Sequence, residues 1–209
     1  QEAANAMRQS AAARNQQGIG QASAAQDALE QARRLLEQNQ ASRLDTDAGS
    51  AAADAQAALD RQRQIEQAVN DLPQDDQGRA EAVPGIIEDK ETLVQELNNL
   101  ERSLSRMAEG AQDNPDAERQ LRQAASTIRD QSIADRVEFG GAIVGQGNPE
   151  QAGQFEAEIT EMMEELNEQV QAASETISRL DKAELAAALA TATKKTPLNK
   201  RVSRRVLEA

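Results

Sequence analysis

From Ile86 to Met107 the sequence places Leu93, Leu97, Leu100 and Leu104 at alternating spacings of three and four residues, with Ile86 and Met107 in the same phase. That spacing averages 3.5 residues and keeps one seam of a helix apolar, which is the signature of a coiled coil. Lys90 alone breaks the seam. A long helix is expected over about 80–109, starting near Ile86 because Pro84 and Gly85 stand just before it.

Composition extends this reading to the whole chain. Hydrophobic residues make up 38%, but 40 of the 209 residues are Ala, the only aromatics are Phe139 and Phe155, and Trp, Tyr and Cys are absent. Alanine buries little apolar area, so a thick globular core is not available. Ala, Gln, Glu, Arg and Leu are good helix formers. The expected fold class is all-α, built as elongated helical hairpins or a coiled-coil-like bundle of long helices. A mean hydropathy of -0.73 and a net charge of -13 would also suit a disordered chain, and the first 50 residues are where that alternative has most room. Sustained helical periodicity in the second half opposes it.

The pass along the chain gives three regions. Residues 1–78 read as an Ala/Gln-rich helical hairpin or spacer. Its first helix carries Ala22, Ala25, Leu29, Ala32 and Leu36 on one face, and its second, capped at Asp45 to Asp47, runs through Leu59, Ile65, Val69 and Leu72 to Pro73. Residues 79–192 read as a long-helix bundle. Asn114-Pro115, Asn148-Pro149 and Thr196-Pro197 each set a capping side chain before a proline at the first helical position. A helix from Asp116 to about Val144 is expected to be interrupted at Gly140 and Gly141, with a glycine hinge over 140–147. The next helix, from Glu150 to about Thr191, should turn Phe155, Ile159, Met162, Leu166, Val170, Ala173, Ile177 and Leu180 one way, drifting from strict heptads. Residues 193–209 form a basic tail, amphipathic through Leu198, Val202 and Val206.

Without His or Cys the chain has no imidazole base, no zinc site with nitrogen or sulfur ligands, and no disulfide. No apolar run is long enough to cross a bilayer. The glycine cluster 140–147 lacks the Gly-Lys-Ser/Thr ending of a phosphate loop. Chemistry would fall to carboxylates such as Glu161 and Glu165, and a solvated helix face explains them more simply. Between Val137 and Ser178 nine acidic residues occur without Lys or Arg. Like charges one turn apart destabilise a helix by about 0.2–0.5 kcal/mol each. Glu158, Glu161, Glu164, Glu165 and Glu168 are therefore candidates to meet a basic surface. Lys194, Lys195, Lys200, Arg201, Arg204 and Arg205 are candidates to meet an acidic protein, anionic lipid, or the chain's own acidic helix. Nucleic acid is not expected, given the net charge and the lack of aromatic stacking platforms.

The succession Leu97 to Ala108 (LNNLERSLSRMA), Asn114-Pro115-Asp116-Ala117, Ala124 to Arg136 (AASTIRDQSIADR) and Asn148-Pro149-Glu150, followed by the acidic helix from Phe155, resembles the C-terminal helical part of an uncharacterised bacterial family. Members of that family are long, Gln/Arg-rich, often membrane-anchored helical proteins of unknown function. The resemblance covers little more than a third of the chain. It departs at Val137-Glu138-Phe139-Gly140-Gly141, acidic and glycine-rich where the family carries an aromatic and basic residues. The resemblance implies an envelope-associated helical scaffold in a bacterium, periplasmic or membrane-associated, with the cytoplasm still open, and implies no activity.

The expected function is a non-enzymatic structural or accessory subunit that needs no cofactor or metal and bridges components of a bacterial envelope or membrane-bound assembly. The alternative is a self-assembling coiled-coil homo-oligomer or filament protein. The start at Gln1 leaves a removed signal peptide or an absent anchor open.

Overall fold

The computed structural model describes the backbone of residues 2–195. The fold is all-α: α1 (Glu2–Asn70), α2 (Asp76–Gly110), α3 (Pro115–Asp130), α4 (Ile133–Gly145) and α5 (Pro149–Lys195), with no strand among the described residues. Backbone contacts divide the chain into two units, Gln1–Arg43 and Leu44–Ala209, so the division falls inside α1 rather than near residue 78.

Within Leu44–Ala209 the helices form a bundle whose senses alternate. Gln171 Nε2 donates to the Ala52 carbonyl and Asn167 Nδ2 to Gln56 Oε1, which sets α1 antiparallel to α5. The short turn after Asn70 reverses the chain into α2. Arg61 forks onto Glu96 across that pair, with Nε to Oε2 at 3.0 Å and Nη2 to Oε1 at 3.1 Å. This bond, with the Glu96 charge, holds the guanidinium above its ordinary pKa. Together α3 and α4 make the third rod, and α5 runs back along them, with Thr127 bonded to Gln169 and Gln131 to Glu165.

Three helices carry an uninterrupted seven-residue repeat of buried positions. In α1 they are Ala48, Ala51, Ala55, Ala58, Gln62, Ile65 and Val69, and Leu72 follows in phase. In α2 they are Ile86, Lys90, Leu93, Leu97, Leu100, Leu104 and Met107. In α5 they are Ala152, Glu156, Ile159, Met163, Leu166, Val170, Ala173 and Ile177. The α5 repeat is strict, so the expected drift is absent. Glu156 and Met163 occupy the seam where Phe155 and Met162 were expected; those two are half-buried, and Leu180 is exposed.

Several boundaries differ from the sequence reading. Asp45, Thr46 and Asp47 start no helix, because α1 passes through them. Each costs a helix only a fraction of a kcal/mol, about 0.7 at most, and the packed seam beginning at Ala48 outweighs that. Consequently residues 1–70 form no hairpin. α2 starts at Asp76, where Asp75 Oδ1 accepts from the Gly78 amide at 2.7 Å, and Pro84 lies inside the helix with Gly85. Both are exposed, so the proline ring meets solvent rather than a packed neighbour. The break expected at Gly140 and Gly141 comes instead at Gln131 and Ser132, where Ser132 adopts φ 50° and ψ 43°. Gly145 ends α4, and Gly147 turns the chain with φ 79°. Asn114 and Asn148 cap as expected, accepting from the amides of Ala117 and Gln151. Thr196-Pro197 lies outside the described residues.

Candidate functional site

Each of the three seams holds one strongly polar residue, and the bundle brings the three together. Lys90 Nζ donates to Glu156 Oε2 at 2.7 Å. Gln62 Nε2 donates to the same oxygen at 3.0 Å and to the Glu156 carbonyl at 3.3 Å. Glu156 and Gln62 are 0% exposed and Lys90 is 2% exposed. The remaining rod, α3 with α4, contributes Gly140, where a Cβ would stand 2.7 Å from both Glu156 Oε1 and Lys90 Nζ. Gly141 lies beside it, a Cβ there standing 3.7 Å from the Lys90 side chain. Gly140 and Gly141 are therefore recesses that admit a buried ion pair, and the turn between α4 and α5 falls at Gly145 to Gly147.

Burial lowers the Lys90 pKa, and the Glu156 charge and hydrogen bond offset that only in part. A lysine with a depressed pKa is a familiar feature of catalytic sites. Here it is 2% exposed and enclosed by the helices of the bundle. What the layer can do is fix alignment. The Leu and Ala positions of the seams are nearly interchangeable, and a slide by one heptad, about 10 Å, would keep them apolar. The same slide would bury Lys90 and Glu156 apart from each other, which is strongly unfavourable.

The acidic candidates on α5 lie at its surface, and the bundle supplies two of them with cations from neighbouring helices. Glu164 Oε1 accepts from Arg63 of α1 at 2.7 Å, and Glu158 lies 3.8 Å from Arg136 of α4. Glu165 accepts from Gln131 and Gln169. Glu161 lines a shallow groove with Arg136, Glu158, Met162 and Glu165, and Glu168 is exposed. The expected shortage of cations was read along one helix, whereas relief comes across helices. Lys194 and Lys195 close α5. Their side chains, and Lys200, Arg201, Arg204 and Arg205 entirely, lie outside the described residues. Among the described residues no group of three or more His, Cys, Asp or Glu is placed to hold a metal ion.

Two features escaped the sequence reading. Lys90 registered only as a break, and Glu156 only as one acid among nine. Each is the single charge in its heptad phase on an otherwise apolar seam, and that signal could have paired them. The second feature is the meeting of Phe139 and Phe155 at the surface, edge to face, with ring centroids 5.7 Å apart. No protein-family model, curated protein or solved structure matches the chain.

Proposed function

We propose that the chain is a non-enzymatic structural or accessory subunit that bridges components of a bacterial envelope or membrane-bound assembly through its helical faces. The observation that supports this is on α1. From Leu44 onward the helix sinks its seam into the bundle, while the side chains described from Ala28 to Gln40 are all exposed, Leu29, Leu35 and Leu36 at 71%, 59% and 61%. With Ala25, Ala28 and Ala32 these leucines make an apolar stripe of the width by which a helix packs into a bundle. A helix gains most of its stability from such packing, and an exposed apolar face marks a contact surface.

Residues 1–43 hold five Arg against four Asp and Glu, so this face selects its partner by apolar fit rather than net charge. The envelope setting rests on the family resemblance. No helix among the described residues is long and apolar enough to cross a membrane, and attachment is proposed through a partner or at a membrane surface. A photo-activatable residue at Leu29 or Leu36, in the cells that make the protein, tests the reading. A discrete cross-linked neighbour in the envelope fraction is expected, and cross-links that are absent or spread over bulk cytosolic proteins would contradict it.

A further inference from the structure

The chain has two aromatic residues, and neither is fully buried, although Phe155 packs against the edge of the core. Phe139 of α4 is 57% exposed and packs edge-on against Phe155 of α5, which is half-buried. Met162, two turns further along α5, is also half-buried and lines a groove with Glu158, Glu161, Glu165 and Arg136, so the groove keeps a net acidic edge although Glu158 faces Arg136 at 3.8 Å. An apolar anchor point inside an acidic rim is complementary to a helix or strand that carries apolar residues flanked by Lys and Arg. Cationic side chains also favour aromatic faces.

One segment of this chain has that chemistry. Leu198, Val202 and Val206 alternate with Lys200, Arg201, Arg204 and Arg205, and residues 193–209 carry a net +5, opposite in sign to the groove of Glu158, Glu161, Glu165 and Arg136. Covalent geometry decides which molecule can supply it. α5 is continuous from Pro149 to Lys195, which puts Lys195 about 50 Å along the helix from Met162. Val206 lies eleven positions beyond Lys195, and that stretch fully extended spans at most about 40 Å. The basic segment cannot reach the patch on its own molecule.

We infer that the Phe139 and Phe155 patch, with its acidic rim, receives the basic segment Lys194 to Val206 of a second copy of this chain. The contact joins two different surfaces, so it is head-to-tail and propagates into open chains or closes into a ring. This goes beyond the accessory role proposed from α1, because it names another surface and its occupant.

Sedimentation velocity of the full chain over a concentration series tests it. Association is expected to grow with concentration and to weaken as salt rises. Phe139→Ser, a change at an exposed ring, should keep the thermal midpoint and weaken association by about tenfold or more. Glu158→Lys with Glu161→Lys in one chain, and Arg201→Glu with Arg204→Glu in another, should each abolish association alone and restore it when mixed. A wild-type chain that stays monomeric overturns the proposal. So does association that Phe139→Ser and both charge reversals leave unchanged. Leu29→Ser with Leu36→Ser should leave this association intact, which separates its failure from failure of the reading based on α1.

Discussion

Lys90 Nζ and Glu156 Oε2 meet at 2.7 Å in the interior of the bundle, each standing at the one charged position of its helix's heptad seam. The pair joins α2 to α5, two helices that no short turn connects, and Gln62 ties α1 to the same carboxylate. Gly140 completes the layer from α4 by leaving room. Four rods therefore share one aligned cross-section in a bundle whose other seam positions are mostly Ala, Leu, Ile and Val.

Glycine substitutions separate this packing role from helix propensity. Gly85 is exposed in α2, and a methyl group added there would have nothing within 4 Å, so Gly85→Ala should stabilise the bundle by about 1 kcal/mol. Gly140→Ala gains the same propensity but drives its methyl into the Lys90 and Glu156 head groups, and a net loss of about 1–3 kcal/mol is expected. Urea unfolding of both variants checks the opposite signs.

The pH dependence follows from Lys90. Its folded pKa lies below the ordinary 10.5, chiefly through burial, so above the depressed value the unfolded chain binds more protons than the folded one. Stability from this group therefore rises with pH through that window and is flat below it. Compared with a Lys90→Met, Glu156→Leu double variant, the wild type should gain relative stability as the pH climbs toward 10.5. Urea midpoints at a series of alkaline pH values measure the gap, and a flat or narrowing advantage would count against the assignment.

Ser132 has a left-handed backbone and no side-chain cap bond at the start of α4. A side chain in that conformation costs about 1–2 kcal/mol, which glycine does not incur. Ser132→Gly should raise stability by about 1 kcal/mol and the thermal midpoint by a few degrees in a calorimetric scan.

Asn114 and Asn148 were legible as helix caps because a capping side chain followed by proline is local chemistry that needs no tertiary partner. The α2 seam was legible for the same reason, its leucines being unambiguous. The α5 seam was misphased at Phe155 and Met162, since the apolar Phe155 stands one position before Glu156, and two adjacent methionines at 162 and 163 do not tell which one faces inward. Only the partner helix makes Glu156 acceptable inside. Likewise Gly140 and Gly141 read as breakers until Lys90 is seen beside them. The continuity of α1 through Asp45 to Asp47 was hidden because local capping preference is outweighed by packing that begins one residue later.

The alignment role of the buried layer is tested most directly by a double-mutant cycle on Lys90→Met and Glu156→Leu, read by urea unfolding. Each single variant leaves an unpaired buried charge and should lose about 3–5 kcal/mol. The double variant should recover most of that loss, because two apolar residues of similar volume fill the same seam positions. A coupling energy of several kcal/mol is the predicted result; single losses that simply add would contradict a matched layer.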